Sequence, residues 1–169
     1  LQDRRIAGLM PMTTSYRNVD ARLVGGELDL RYALTDWLAT EAQLSYVRGR
    51  NTSDSRDLPQ IPPLSGSLGL YAERGSIDCG AVVRWAARAE AIDEQSGLDT
   101  RETAGYAVLD LVAGYDITRN WRLEAGLDNV FDRSYGQHVN RAYSSVFGDP
   151  NARINEPGRT VWARLTATF

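Results

Sequence analysis

Soft and borderline metal donors are few in this chain: one histidine, His138; two methionines, Met10 and Met12; and one cysteine, Cys79. Met10 and Met12 flank Pro11, a spacing that sets both thioethers on one side of an extended segment. Imidazole and thioether suit Cu(I), so His138, Met10 and Met12 are the candidate metal ligands. His138 falls in a predicted exposed loop, where histidine is a common ligand; methionine more often fills packing gaps. These donors lie too far apart in sequence to make a tight site without further ligands and a supporting shell. Cys79 is on the apolar side of its segment and is set aside. A lone cysteine also excludes an internal disulfide framework and a cysteine-based zinc site. No Gly-x-Ser-x-Gly nucleophile motif occurs, and Gly80, Gly114 and Gly126 are isolated rather than grouped as a phosphate loop. The expectation is a protein that is not an enzyme and has no cofactor of its own.

The charged residues point the same way. All 19 basic residues are arginine, scattered along 169 residues with a formal net charge of −3. A nucleic-acid groove needs a basic stripe, so nucleic acid is not an expected partner. Instead the charges alternate with apolar residues. Glu27, Asp29, Arg31, Glu41, Arg84, Arg88, Glu90, Asp110, Arg122, Glu124, Asp128 and Arg164 are predicted on one polar wall, where opposite charges pair across strands.

The elements that must hold that wall are strands. From Ile77 to Glu90 the odd positions are apolar, and the even ones include Asp78, Arg84, Arg88 and Glu90. The same period of two runs through Leu28–Leu34, Leu38–Tyr46, Leu64–Glu73, Ala107–Asp116, Trp121–Asp128 and Val161–Phe169. With a less regular stretch over about 3–14, this predicts about eight strands and no helix. Thr35-Asp36-Trp37, Arg74-Gly75-Ser76 and Thr118-Arg119-Asn120 read as tight turns. They alternate with long polar loops over about 51–62, 92–103 and 133–157, so one end of an up-and-down sheet carries short turns and the other long loops. Several strands reach the roughly 9–11 residues that cross a bilayer when tilted. Mean hydropathy is −0.37, which excludes spanning helices but not a barrel whose strands alternate. Tyr32, Trp37, Tyr46, Tyr71, Tyr115 and Trp121 fall near strand ends, as interfacial belts require. The chain starts Leu1-Gln2-Asp3 with no signal peptide in view, which leaves the compartment open.

Gly126-Leu127-Asp128-Asn129-Val130-Phe131-Asp132-Arg133-Ser134-Tyr135 resembles the Asn-(Leu/Val)-Phe-Asp-x-x-Tyr segment that closes the penultimate barrel strand of TonB-dependent outer-membrane receptors. Tyr16-Arg17-Asn18-Val19-Asp20 with Gly25-Gly26-Glu27-Leu28 is similar to a strand opening midway through that barrel, and Ile61-Pro62-Pro63 to a loop-to-strand step. An alternating last strand ending on Phe169 resembles the signal read by the outer-membrane barrel-assembly machinery. More narrowly, Gln137-His138-Val139-Asn140-Arg141-Ala142 and Ile154-Asn155-Glu156-Pro157-Gly158-Arg159-Thr160 resemble the last loop and strand of the copper-receptor branch.

The resemblance implies an all-β, antiparallel up-and-down transmembrane β-barrel segment in the bacterial outer membrane. Short turns would be periplasmic and long loops extracellular. It also implies uptake of copper or a metal chelate by the full receptor. Such a receptor has a plug, a TonB box and about 22 strands, so residues 1–169 would be its C-terminal third. Its partners would be lipid, the plug, the remaining strands, and TonB through the missing part. Asn129, Phe131, Asp132, Tyr135, Pro157, Gly158, Arg159 and Phe169 carry the match as structural residues. Asn129 and Asp132 are expected to bond local backbone, and Gly158 to supply the positive φ of a type II turn after Pro157. Two alternatives stand beside this: a complete eight-stranded outer-membrane anchor, and a soluble lipocalin-like barrel with its apolar face inward.

Overall fold

The computed structural model describes residues 2–4, 15–96, 99, 101–140 and 154–169. Its main element is an antiparallel sheet of β3 (Ala21–Ala33), β4 (Leu38–Asn51), β6 (Ser65–Arg74), β7 (Ile77–Ala86), β8 (Tyr106–Asp116), β9 (Trp121–Asp128) and β10 (Thr160–Ala167). They neighbour one another in chain order, and the short β5 (Arg56–Asp57) adds to β4. All seven predicted strands from Leu28 onward are present. The eighth, over about 3–14, lies largely outside the described residues; β1 (Gln2–Arg4) and β2 (Ser15–Arg17) pair with each other in a separate ribbon. Among the described residues no pairing joins β3 to β10, and each of these two strands has a single paired neighbour.

The turns follow from sequence. Gly75-Ser76 closes the β6–β7 hairpin with Gly75 at φ 65°, as a two-residue turn with glycine first requires. The other two tight turns share one design. The backbone N–H groups of Leu34 and Thr35 donate to Leu38 O, those of Ile117 and Thr118 to Trp121 O. Thr35 and Thr118 then accept from the backbone two residues on, at 3.3 and 3.2 Å.

The two faces differ in chemistry. Register places Leu28, Leu44, Leu68, Val83, Leu109, Leu111, Leu127 and Val161 on one side, and Arg31, Glu41, Arg84, Asp110, Arg122, Glu124 and Arg164 on the other. A hollow of about 830 Å³ is lined by Arg31 and Glu41 together with Arg122 and Glu124 from the far side of the sheet. The sheet therefore curls toward its polar face. The apolar face is the convex one, with Leu68 at 56% exposure and Ile77 at 59%. The only buried apolar residues among those described are Ala89, Val108 and Tyr135. A water-soluble chain of this length encloses most of its apolar surface; this one turns it outward.

Three expectations are corrected. The strand pattern predicted through Glu90 stops at Ala86. Ala87 N donates to Leu64 O, but the next residues along that edge, Pro63 and Pro62, have no N–H to continue the ladder. Arg88 and Glu90 thus lie in the loop, not on the wall. Tyr71 does not join an outward belt: it lies on the polar face, where Gly69 and Gly80 have no room for a Cβ beneath its ring. Gly158 is not at positive φ, since Gly75 alone among the described glycines is. It is glycine because Asp132 Oδ1 lies where a Cβ would be, 2.7 Å away.

Candidate functional site

The wall is an ion-paired ladder. Arg84 bonds both oxygens of Asp110, the second at 3.1 Å. Arg122 reaches Asp116 at 2.9 Å and Asp78 two strands away, across Gly114, whose missing side chain leaves the guanidinium its path. Arg164 bonds Glu124 at 2.7 Å, and Arg31 lies 3.4 Å from Glu41. Aromatic rings lie over directly opposed glycines: Tyr71 over Gly80 and Trp162 over Gly126 on the polar face, and Trp85 over Gly66 on the apolar face. Trp162 also donates to Asp128 at 3.2 Å. The alternation did not single out Trp162; the readable signal was a glycine at its register position.

The resembling C-terminal segment is the joint between wall and loops. Asn129, buried at φ 50°, donates its backbone N–H to Asp110 at 2.8 Å. Its amide donates to Arg133 O at 2.9 Å and Pro157 O at 3.5 Å, and its carbonyl accepts from Arg133 N at 2.9 Å. Asp132, at φ 53°, accepts from Arg159 N at 2.8 Å. Tyr135 is buried with its ring 4.3 Å from that of Tyr106. Phe131 is exposed and takes no part in this joint, and Phe169, two residues beyond the end of β10, is likewise exposed.

Above the joint, His138 ties the loops together. It was expected in an exposed loop; it is 5% exposed. Its Nδ1 lies 2.8 Å from Thr103 Oγ1 and its Nε2 3.7 Å from Asp99. Asp99 accepts the backbone N–H groups of Gln60 and Asp93, each at 3.2 Å. Arg56 joins the same layer through Asp54 at 2.8 Å, Asp93 at 3.3 Å and Gln95 at 2.6 Å. Residues of all three long loops meet here, and burial is explained by the backbone donors they satisfy. On the rim, Glu102 hydrogen-bonds Arg88 and holds its guanidinium above its ordinary pKa. No cluster of three or more His, Cys, Asp or Glu with metal-binding geometry occurs among the described residues. Met10 and Met12 lie outside the described residues.

Comparison with known proteins gives this arrangement a place. Residues 2–130 match the family described as TonB dependent receptor-like, beta-barrel. The ferric enterobactin receptor of Pseudomonas aeruginosa is 28% identical over 165 residues, 91% of this chain and 22% of that protein. The metal-pseudopaline receptor CntO of the same species is 28% identical over 167 residues, 92% of this chain and 23% of that protein. The structure of the copper transporter OprC superposes with a TM-score of 0.88 at 42% identity, covering 93% of this chain and 25% of that one. These relatives are receptors and a transporter, and the chain spans about a quarter of their length. By that match, and by a curled antiparallel sheet with one apolar and one ion-paired face, the chain belongs to the TonB-dependent receptor β-barrel family.

Proposed function

We propose that this chain is a segment of the transmembrane barrel of a bacterial outer-membrane receptor that imports copper. The likeness to OprC carries the choice of metal, being far closer in identity than the likeness to siderophore receptors. The convex apolar face meets lipid, the polar wall lines the lumen against a plug, and the His138 layer stiffens the extracellular loops. Plug, remaining strands and TonB contacts belong to the rest of such a receptor, and the barrel-assembly machinery to its insertion. Copper is cargo here, and no catalytic step is assigned to any residue. The lipocalin-like alternative needs the apolar face enclosed, and the anchor alternative needs β3 paired with β10; the described residues show neither.

The test is cellular. Deleting the gene that encodes this segment should lower copper accumulation under copper limitation, measured by elemental mass spectrometry, and leave siderophore-supplied iron unchanged. Loss of siderophore-dependent growth with normal copper would reassign the cargo to a ferric chelate.

A further inference from the structure

We propose that Arg22, Arg48 and Arg50 form a seat for the phosphate groups of an anionic lipid headgroup at the outer rim of the barrel. Arg22 and Arg50 are direct cross-strand partners on β3 and β4. Like charges directly opposite each other destabilise a sheet, and lower in the same strand pair the rung is Arg31 against Glu41. The carboxylate next in line is Asp57, opposite Arg50 on β5, and Arg48 Nη2 already holds it at 2.8 Å. Neither Arg22 nor Arg50 has an ion pair or side-chain hydrogen bond among the described residues, and both are exposed. The rung has a surplus of positive charge that calls for an anion.

Its position says which anion. Arg22, Arg48 and Arg50 continue the outward face that lower down carries Leu28, Leu30, Ala42, Leu44 and Tyr46. From Leu38 to Arg48 is about 33 Å along the strand, or about 25 Å along the membrane normal at a 40° tilt, the height of a barrel's apolar band. Arg48 therefore stands at the band's upper edge, with Arg22 and Arg50 one rung above. Strands β6, β7 and β8 end near the level of Ser45, which aligns with Ser65, Ala86 and Tyr106, so nothing in those strands covers the rung. Guanidinium pairs with phosphate in a bidentate fork, and lipid phosphates lie at this depth.

This inference rests on the membrane-spanning reading. The experiment is native mass spectrometry of the intact outer-membrane protein, extracted in mild detergent and offered diphosphorylated lipid A, dephosphorylated lipid A or sodium phosphate. Wild type should retain the diphosphorylated lipid, and R22Q/R50Q should bind it roughly thirtyfold more weakly, the equivalent of about 1 kcal/mol per arginine. R22Q alone should lose about fivefold, and serves if the double variant fails to fold. R22K/R50K keeps the charge and loses the bidentate fork, so it should recover only part of the affinity. Equal retention by wild type and R22Q/R50Q, or equal binding of dephosphorylated lipid A, would overturn the proposal. Sodium phosphate binding as tightly as the lipid would reassign the seat to a free anion. Release of the protein from membranes by carbonate without detergent would instead overturn the spanning reading.

Discussion

Leu68 separates a lipid-facing surface from a water-facing one with a single substitution. It lies mid-strand in β6, between Ala42 and Val83 in register, and is 56% exposed. On a water-facing surface, replacing such a residue by arginine changes stability by no more than about 0.5 kcal/mol. At the midplane of a bilayer the same change costs about 2–4 kcal/mol, roughly a thirty- to several-hundredfold shift in the folding equilibrium. Gln43→Arg is the matched control. Gln43 lies on the polar face directly opposite Asp29, so the new guanidinium gains a partner, and the expected change is within about 0.5 kcal/mol. Val24→Arg, beside Arg48 at the rim, should fall between them at about 0–1 kcal/mol, because the penalty depends on depth. The assay is reversible folding of the receptor into phosphatidylcholine vesicles, followed by tryptophan fluorescence across a guanidinium titration. A Leu68→Arg variant as stable as wild type, or a Gln43→Arg variant as damaged as Leu68→Arg, would refute the assignment of faces.

The remaining expectations use smaller perturbations. Gly75→Ala meets no atom within 4 Å but must hold φ near 65°, so it should lose about 1–2 kcal/mol of stability in the same titration, through backbone conformation alone. Asn129→Gly keeps its left-handed backbone and loses the bonds to Arg133 and Pro157, whereas Asn129→Ala loses both; the alanine variant should be less stable than the glycine one by about 1 kcal/mol. His138→Ala should leave Cu(I) affinity of this chain unchanged in a competition titration, since its imidazole is taken up by Thr103 and Asp99. Tight stoichiometric Cu(I) binding abolished by His138→Ala would place a metal site in the last loop. The same variant should speed proteolysis of the three long loops.

The sheet was legible in the sequence because period two is a local signal, repeated wherever one face is apolar and the other polar. It failed at three kinds of place, each set by a neighbour rather than by the strand itself. The β7 pattern ran on to Glu90 in sequence, yet the ladder ended at Ala86 because Pro62 and Pro63 supply no donors on the adjoining edge. β3 and β4 run to Ala21 and Asn51, past the predicted limits, because the alternation changes sense above Tyr46. There Arg48 and Arg50 point outward, and Val47 and Gly49 lie inward. Gly49 leaves no room for a Cβ beneath the side chains of Ile61 and Leu58. A pattern reader counts that inversion as the end of a strand; in the membrane-spanning reading it is a strand leaving lipid for water. His138 was misplaced for a related reason. A polar loop looks exposed residue by residue, and only the convergence of Asp99 and Thr103 from one loop with His138 from the next encloses the ring.

The glycines show how that non-local information is stored. Gly66, Gly80 and Gly126 each face an aromatic ring directly across a rung, and Gly114 lies under the Arg122–Asp78 bridge. A glycine in a strand interior is destabilising by itself, and four of them would weaken an isolated sheet. Here each removes a Cβ at a point where a neighbouring strand sends a large side chain over the backbone. The ring or guanidinium then covers the bared peptide and fills the space a side chain would otherwise occupy. On the polar face, at Gly80, Gly114 and Gly126, the result is a wall whose large side chains lie over the backbone of a neighbouring strand. Much of the charge on that wall is held in pairs, Arg84 with Asp110, Arg122 with Asp78 and Asp116, and Arg164 with Glu124. If the proposed import function holds, cargo would move past this surface, and fixed metal donors would belong at the loops or elsewhere in the receptor.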